Sequence, residues 1–284
     1  MPPLSSLFNN AQAHTFSHQP KQKKLNRVNN VRHLPPISAE KALVDLFNKG
    51  LYSEAEQYAR KIVENIPSQG IAYKTLGVLL FLRGQTEESL ENMQIAVTLL
   101  PADAETYGNL GILLKDMERF EEAVSSFHRA LKINPDYANA HYHLGCINEK
   151  FGYFEEAKSN LHCALELKPN LAEAHCVLAS VFYNFGRFEE AELCCYKALT
   201  IKPDYTLVWN NLAAVYYVRG KFKDSEKMLR RVIALKADSG KAYHDLSVIK
   251  KFTPDDSDLI VMQSCKVIFS SNYSILFCYL HIFV

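Results

Sequence analysis

Prolines fall at positions 67, 101, 135, 169 and 203, an unbroken and even beat. Small residues keep the same interval at Gly77, Gly111, Gly145, Ala179, Ala213 and Ser247. The stretch 103–136 states the unit in full, and A-N-A-H-Y-H-L-G, G-Y-F-E-E-A and L-K-P-N repeat its skeleton one interval on. A fixed period of this length marks an array of helix–turn–helix units, each burying its apolar face by stacking on its neighbours. That period constrains the chain more than its 284 residues do, because an array grows one unit at a time and escapes the usual length-to-domain count.

The spacing divides the chain into repeats 36–69, 70–103, 104–137, 138–171, 172–205 and 206–239, with a half repeat at 240–251. In each, an aromatic or histidine (Tyr73, Tyr107, His141, His175, Trp209, Tyr243) stands three residues before a leucine, so both face one side of the first helix. By this phase His141 and His175 point into the helix pair. Gly50, Gly84, Gly152, Gly186 and Gly220 sit where that helix must end, in a turn that suits a left-handed residue. Glu118 takes the glycine's place in one unit, which predicts a tightened or shifted turn there. Ala55, Ala123, Ala157 and Ala191, then Ala96, Ala130, Ala164 and Ala198, keep the second helix thin. The prolines finish that helix, and Asp136, Asn170 and Asp204 behind them are placed to cap the next. After the last half repeat, Thr253, Pro254, Asp255 and Asp256 carry the signals of a helix start, which predicts a capping helix within 252–266.

Composition narrows the class. Net charge is +1 and the pI is near 7.6, so no overall field draws the chain to nucleic acid or to an anionic membrane. Seven cysteines, two of them adjacent at Cys194 and Cys195, fit reduced thiols better than a disulfide framework, and a cytoplasmic location follows as the expectation. The N-terminus lacks the apolar core of a secretory signal. Residues 1–35 carry five basic residues and no acid, too little apolar surface to offset ordering, and read as a disordered basic tail with some likeness to an organellar transit peptide. The tail 267–284 is apolar and of borderline spanning length, but Asn272, three serines and His281 argue against a span. It leaves membrane attachment open, and it also reads as the end of a piece of a longer protein.

Proline, alanine and aromatic marks in phase over about 36–251 resemble the tetratricopeptide repeat. The resemblance implies an all-α, right-handed solenoid of about six repeats closed by the C-terminal capping helix. It also implies that the first helices line a concave groove binding peptide segments. The N-L-G steps at Asn109 and Asn211 are similar to the repeats of O-GlcNAc transferases, whose asparagines form a ladder gripping a peptide backbone. Here that ladder runs Thr75, Asn109, His143, Val177, Asn211, Asp245. The segment 243–262, with K-K-F-T-P-D-D, is similar to the one following the repeats in bacterial repeat-containing sulfotransferases.

No phosphate-binding loop, H-E-x-x-H or C-x-x-C motif occurs, and the short stretch after Cys265 leaves no room for a nucleotide-binding domain. His141, His143, Cys146, His175 and Cys176 contain metal-ligand types, but nothing in their spacing sets a tetrahedron, and packing with groove polarity is the preferred reading. Cys194 and Cys195 read as buried small hydrophobes. The pairs Glu121–Glu122, Glu155–Glu156 and Glu189–Glu190 are helix-start charges. Neither metal nor cofactor is expected, and no enzymatic activity.

The groove is the candidate site. Repeat phase places Lys74, Tyr142, Asn210 and His244 on one rail, with Asn109, His143 and Asn211 beside them and Lys115, Glu149, Tyr183 and Tyr217 one turn further on. Exposed amides and aromatics on a rigid surface supply the apolar area and hydrogen bonds an extended peptide needs. Lys74 and Asn109 echo the carboxylate clamp of chaperone-binding relatives, but Val78 and His143 replace its other members, which argues against chaperone C-termini. The expected function is a non-enzymatic scaffold or adaptor binding a protein or extended peptide. The alternative is a substrate-recruiting module of a glycosyltransferase- or sulfotransferase-type protein.

Overall fold

The computed structural model describes residues 36–250; the basic tail, the expected capping helix and the apolar tail lie outside them. Among the described residues there are thirteen α-helices and no strand. First helices are α1 (Pro36–Asn48), α3 (Gly70–Leu82), α5 (Ala104–Asp116), α7 (Ala138–Lys150), α9 (Ala172–Asn184), α11 (Thr206–Val218) and α13 (Gly240–Ile249). Second helices are α2 (Tyr52–Asn65), α4 (Thr86–Leu99), α6 (Phe120–Ile133), α8 (Phe154–Leu167), α10 (Phe188–Ile201) and α12 (Phe222–Leu235). The chain forms two compact units, the first reaching Ile147 and the second starting at Asn148.

Within each unit the two helix types bury different surfaces. A second helix presents one narrow stripe inward, as α6 does with Ala123, Phe127 and Ala130. A first helix packs against its own second helix and against first helices before and after it, α3 against α5 in the first unit and α9 against α11 in the second. In the first unit α3 and α5 are therefore covered almost all round, and α5 is buried without a break from Gly108 to Leu114. Alanines on the second helices permit this density: Ala55, Ala123, Ala157 and Ala191 are all fully buried.

At Gly111 the close approach is literal. A Cβ built there would lie 2.7 Å from the Phe127 ring, which fills the space a side chain would take. Where alanine gives way to serine on the second helix, the hydroxyl clips the pair together. Ser89 Oγ donates to the Gly77 carbonyl at 2.7 Å, and Ser225 Oγ to the Ala213 carbonyl at 2.8 Å. Both bonds are buried, so each satisfies a donor that would otherwise cost free energy.

The second helices stop where proline chemistry requires. The residue before a proline is pushed out of the helical region, and Asn134 and Lys202 have φ/ψ of −133°/97° and −134°/87°. Lys236 keeps the same geometry (−142°/90°) although Ala237 follows it, so packing alone can hold the break. The expected caps need correcting. Asp136, Asn170 and Asp204 lie one residue too early; the N-cap positions of α9 and α11 are Leu171 and Tyr205, neither with a side-chain cap bond. Side-chain caps occur one place later in the period, where Asp103 accepts from Glu105 N and Ser239 from Ala242 N.

Glu118 also departs from expectation. Its φ is 59°, in the same left-handed region as the glycines of the other turns, which run from 71° to 79°. The turn is neither tightened nor shifted; the array imposes its geometry on a residue that resists it. Left-handed backbone costs a residue with a Cβ roughly 1–2 kcal/mol, partly offset by the flexibility glycine adds to the unfolded chain. Glu118→Gly should therefore stabilise the protein by about 1 kcal/mol, read as a higher urea midpoint at unchanged slope.

Candidate functional site

The expected groove residues fall into three groups. Lys74, Asn109 and His143, all in the first unit, are buried. Lys115, Tyr142, Glu149, Tyr183, Asn210 and Asn211 are half-buried, and Tyr217 and His244 are exposed.

Lys74 already has its partners. Its ammonium donates to Asp103 Oδ2 at 2.8 Å and Glu105 Oε2 at 3.0 Å, tying α3 to the start of α5. Burial by itself would lower the lysine pKa, but the two carboxylates outweigh it and the net displacement is upward. Burial would likewise raise Asp103; bonds from Lys74 and Thr106 reverse that and hold its carboxyl below the ordinary value. The same aspartate caps α5, so one side chain closes an ion pair and a helix end together. A lysine held this way serves the joint between repeats.

Asn109 is fully enclosed, with neither amide atom hydrogen-bonded. One repeat on, His143 lies under its neighbours, its ring stacked on Phe127 at 5.4 Å and tilted against Tyr142 at 4.8 Å. Neither ring nitrogen of His143 has a partner. Burial, with a smaller push from the Lys115 charge, lowers its pKa to about 3, so it is neutral at pH 7. On the rail of Lys74 and Tyr142, Gly108 holds the equivalent place in the repeat between them. The Tyr137 ring fills the space above it, 2.4 Å from where a Cβ would stand.

In the second unit the same registers are more open. Glu149 accepts from Ser180 Oγ at 2.6 Å. Asn211 Nδ2 donates to the Cys176 carbonyl of the preceding first helix at 3.4 Å. Asn210 Nδ2 donates back to Thr206 of its own helix at 3.1 Å, while its Oδ1 accepts nothing. Tyr183 and Tyr217 each meet the phenylalanine that opens the following helix edge-on, Phe188 at 5.7 Å and Phe222 at 5.6 Å. These pairs hold the tyrosines in place with Tyr217 still 42% exposed. His244 Nδ1 lies 3.3 Å from Asp245 Oδ1 at the exposed end of the row.

Repeat phase placed His141 and His175 as rings inside the helix pair, and the structure adds a bond that phase does not show. His141 Nε2 donates to the Pro135 carbonyl at 3.0 Å and His175 Nε2 to that of Pro169 at 3.1 Å. Trp209 Nε1 does the same to Pro203 at 2.9 Å. A ring N–H six residues after each proline thus latches the incoming turn. The signal was legible: the three residues at this position with a ring N–H are the ones that use it.

Among the described residues no three His, Cys, Asp or Glu side chains gather as metal ligands, and no helix is long and apolar enough to cross a membrane. Burial raises the Cys194 thiol to about 11 and moves Cys195 in the same direction, leaving both without thiolate character at neutral pH.

Tetratricopeptide repeat family models match residues 104–137, 138–171, 172–205 and 210–237, and these stretches are tetratricopeptide repeats. Solved structures agree on the fold. YrrB, described as a TPR protein with an unusual peptide-binding site, is 24% identical over 66% of this chain and 96% of its own, with a TM-score of 0.53. A chain of the Cut9–Hcn1 hetero-tetramer of the APC/C is 12% identical over 87% of this chain, with a TM-score of 0.73, and the match covers about half (49%) of that chain. PilF of Pseudomonas aeruginosa is 16% identical over 75% of this chain and 97% of its own, with a TM-score of 0.64. No curated protein sequence matches the chain.

Proposed function

We propose that the protein is a non-enzymatic adaptor that binds an extended segment of a partner protein along the first helices of its repeats, with the second unit supplying the contacts. The observation that carries this reading is the row Tyr183, Asn210, Asn211, Tyr217 and His244. These are amides and aromatics left half-buried or exposed on the first helices α9, α11 and α13, where Leu207, Val218 and Val248 are exposed beside them. Amides serve a peptide backbone, and the tyrosines offer rigid apolar area at low entropic cost. The description of YrrB as peptide-binding supports the reading by fold likeness.

Lys74, Asn109 and His143 act in this reading as packing groups of the first unit, and Glu149 as a flanking contact within the second. Asn109 is enclosed, and Asn211 Nδ2 already donates to a carbonyl of its own chain, which leaves its Oδ1 for a ligand. An asparagine ladder of the glycosyltransferase kind is therefore the weaker reading.

The full chain, immobilised and exposed to lysate of its source, should retain a partner. The triple variant Asn210→Ala, Asn211→Ala, Tyr217→Ala should bind that partner at least about tenfold more weakly, since each lost amide or aromatic contact is worth about 1 kcal/mol or more. Unchanged affinity in a variant that melts like the parent would refute the proposal.

A further inference from the structure

The repeats serve as controls for one another, and one second helix breaks the rule the others keep. At the solvent-facing register two residues after the small residue of the second helix, the chain has Gln57, Glu91, Ser125, Ser159 and Lys227, all polar and exposed. In α10 that register holds Leu193, 55% exposed. Three residues on, the sequence has Arg60, Gln94, His128, His162 and Arg230; α10 has Tyr196, 45% exposed. Packing explains Tyr196 in part, because its hydroxyl lies 2.6 Å from that of Tyr216 on α11. Nothing within the second unit explains Leu193.

Leu193 stands on the lip of a cleft of about 660 Å3 between α8 and α10. Leu178 and Phe182 of α9 form its floor, with Leu165 on the α8 wall and Leu193 and Ile201 on the α10 wall. The charges around it are mixed: Glu166 lies on the α8 wall, and the α10 wall carries Glu190, paired with Arg187, near its start and Lys197 near its end. Beyond Lys197 the surface turns basic. From Arg219 to Lys241 there are eight basic residues against three acidic ones, in a chain whose net charge is only +1. Lys223, Lys227, Arg230 and Arg231 on α12 are all exposed, Arg230 being paired with Glu226 of the same helix. Arg231 lies 3.6 Å from Asp204, just past α10, which brings this basic face against the end of the apolar one.

We propose that this face of the second helices, separate from the first-helix site, docks an acidic amphipathic helix of a partner protein. Its apolar stripe seats in the cleft on Leu193 and its carboxylates turn toward Lys197 and α12. Helix-in-groove recognition needs an apolar trough wide enough for one stripe of side chains, and the α8–α10 cleft supplies it. Charge decides the occupant's sign and its direction: acidic residues gain beside Lys197 and the α12 side, and are repelled by Glu166 on the α8 wall and by Glu190 at the start of α10.

The test is selection of displayed helical peptides on the full-length protein, with affinities then measured by fluorescence anisotropy. The expected winners carry apolar residues at i, i+3, i+4 and i+7 beside Asp or Glu. Their binding should fall about tenfold or more with Leu193→Glu, fall severalfold with Lys227→Glu, and weaken in about 0.5 M salt, where screening acts within a few Å. Gln57→Glu, the same register in the first repeat, should change nothing. Basic winners, or binders indifferent to Leu193→Glu, overturn the proposal. So does a dimer of the parent protein that Leu193→Glu splits, which would put a second copy on this face. Leu193-dependent binding confined to phosphatidylserine vesicles would assign it to a membrane and overturn it equally.

Discussion

Phe127→Ala should cost about 3–5 kcal/mol, the usual range for emptying a fully buried aromatic site. The ring is fully buried, lies against Gly111 so closely that no Cβ would fit, and stacks on His143. Neither neighbour can collapse into the space: Gly111 has no side chain to extend, and His143 is fixed between Phe127 and Tyr142. Because contacts in an array are made with nearest neighbours, the loss should appear first around repeat 104–137. Hydrogen exchange should show amides of α5 and α6 opening at lower free energy, and the urea transition should broaden. A loss below about 1 kcal/mol would mean the site collapses freely and the packing argument is wrong.

Acid should act through His143. Its folded-state pKa of about 3 lies below the ordinary histidine value of 6.5, so the unfolded chain binds the proton more readily. The sign follows from linkage: the contribution is complete above about pH 6.5 and is lost as pH falls toward 3, where the folded protein at last takes up the proton. Over that window the loss is on the order of 3–5 kcal/mol at about 1.4 kcal/mol per unit. His143→Phe keeps a ring against Phe127 and removes both unpartnered nitrogens. It should flatten the difference in stability between pH 7 and pH 4, measured by urea unfolding at each pH. An equal pH dependence in parent and variant would contradict the burial argument. In Phe127→Ala, where the stacking ring is gone, the His143 proton should titrate closer to 6.5 by NMR. The two predictions thus check each other.

The period made the architecture legible. Prolines, turn glycines and thin alanines each require one backbone event, and those events recur once in every repeat. Details that depend on three-dimensional neighbours did not show in the same way. Glu118 adopts the glycine conformation because the flanking helices dictate the turn, and the side-chain caps sit one residue later than proline spacing implied.

Site residues were legible as a register but not as a surface. Phase put Lys74, Asn109 and His143 in line with Asn210, Asn211 and His244. It could not show that Asp103 and Glu105 enclose the first of these, or that Phe127 and Tyr142 cover the third. Burial depends on the size of side chains on adjacent helices, which the repeat period does not encode. Leu193 is an apolar residue in a polar column of the sequence, but the cleft it borders depends on how α8, α9 and α10 pack.

Site-specific photo-crosslinking tests the adaptor account most directly. p-Benzoylphenylalanine placed separately at Tyr183, Tyr217 and Leu193 of the full chain would be irradiated with the partner retained in the lysate experiment. The account predicts crosslinks from 183 and 217, on first helices one repeat apart, to neighbouring positions of one extended partner segment, and none from 193. Crosslinks from 193 alone, or none from 183 and 217 while affinity is kept, would place the partner elsewhere and contradict it.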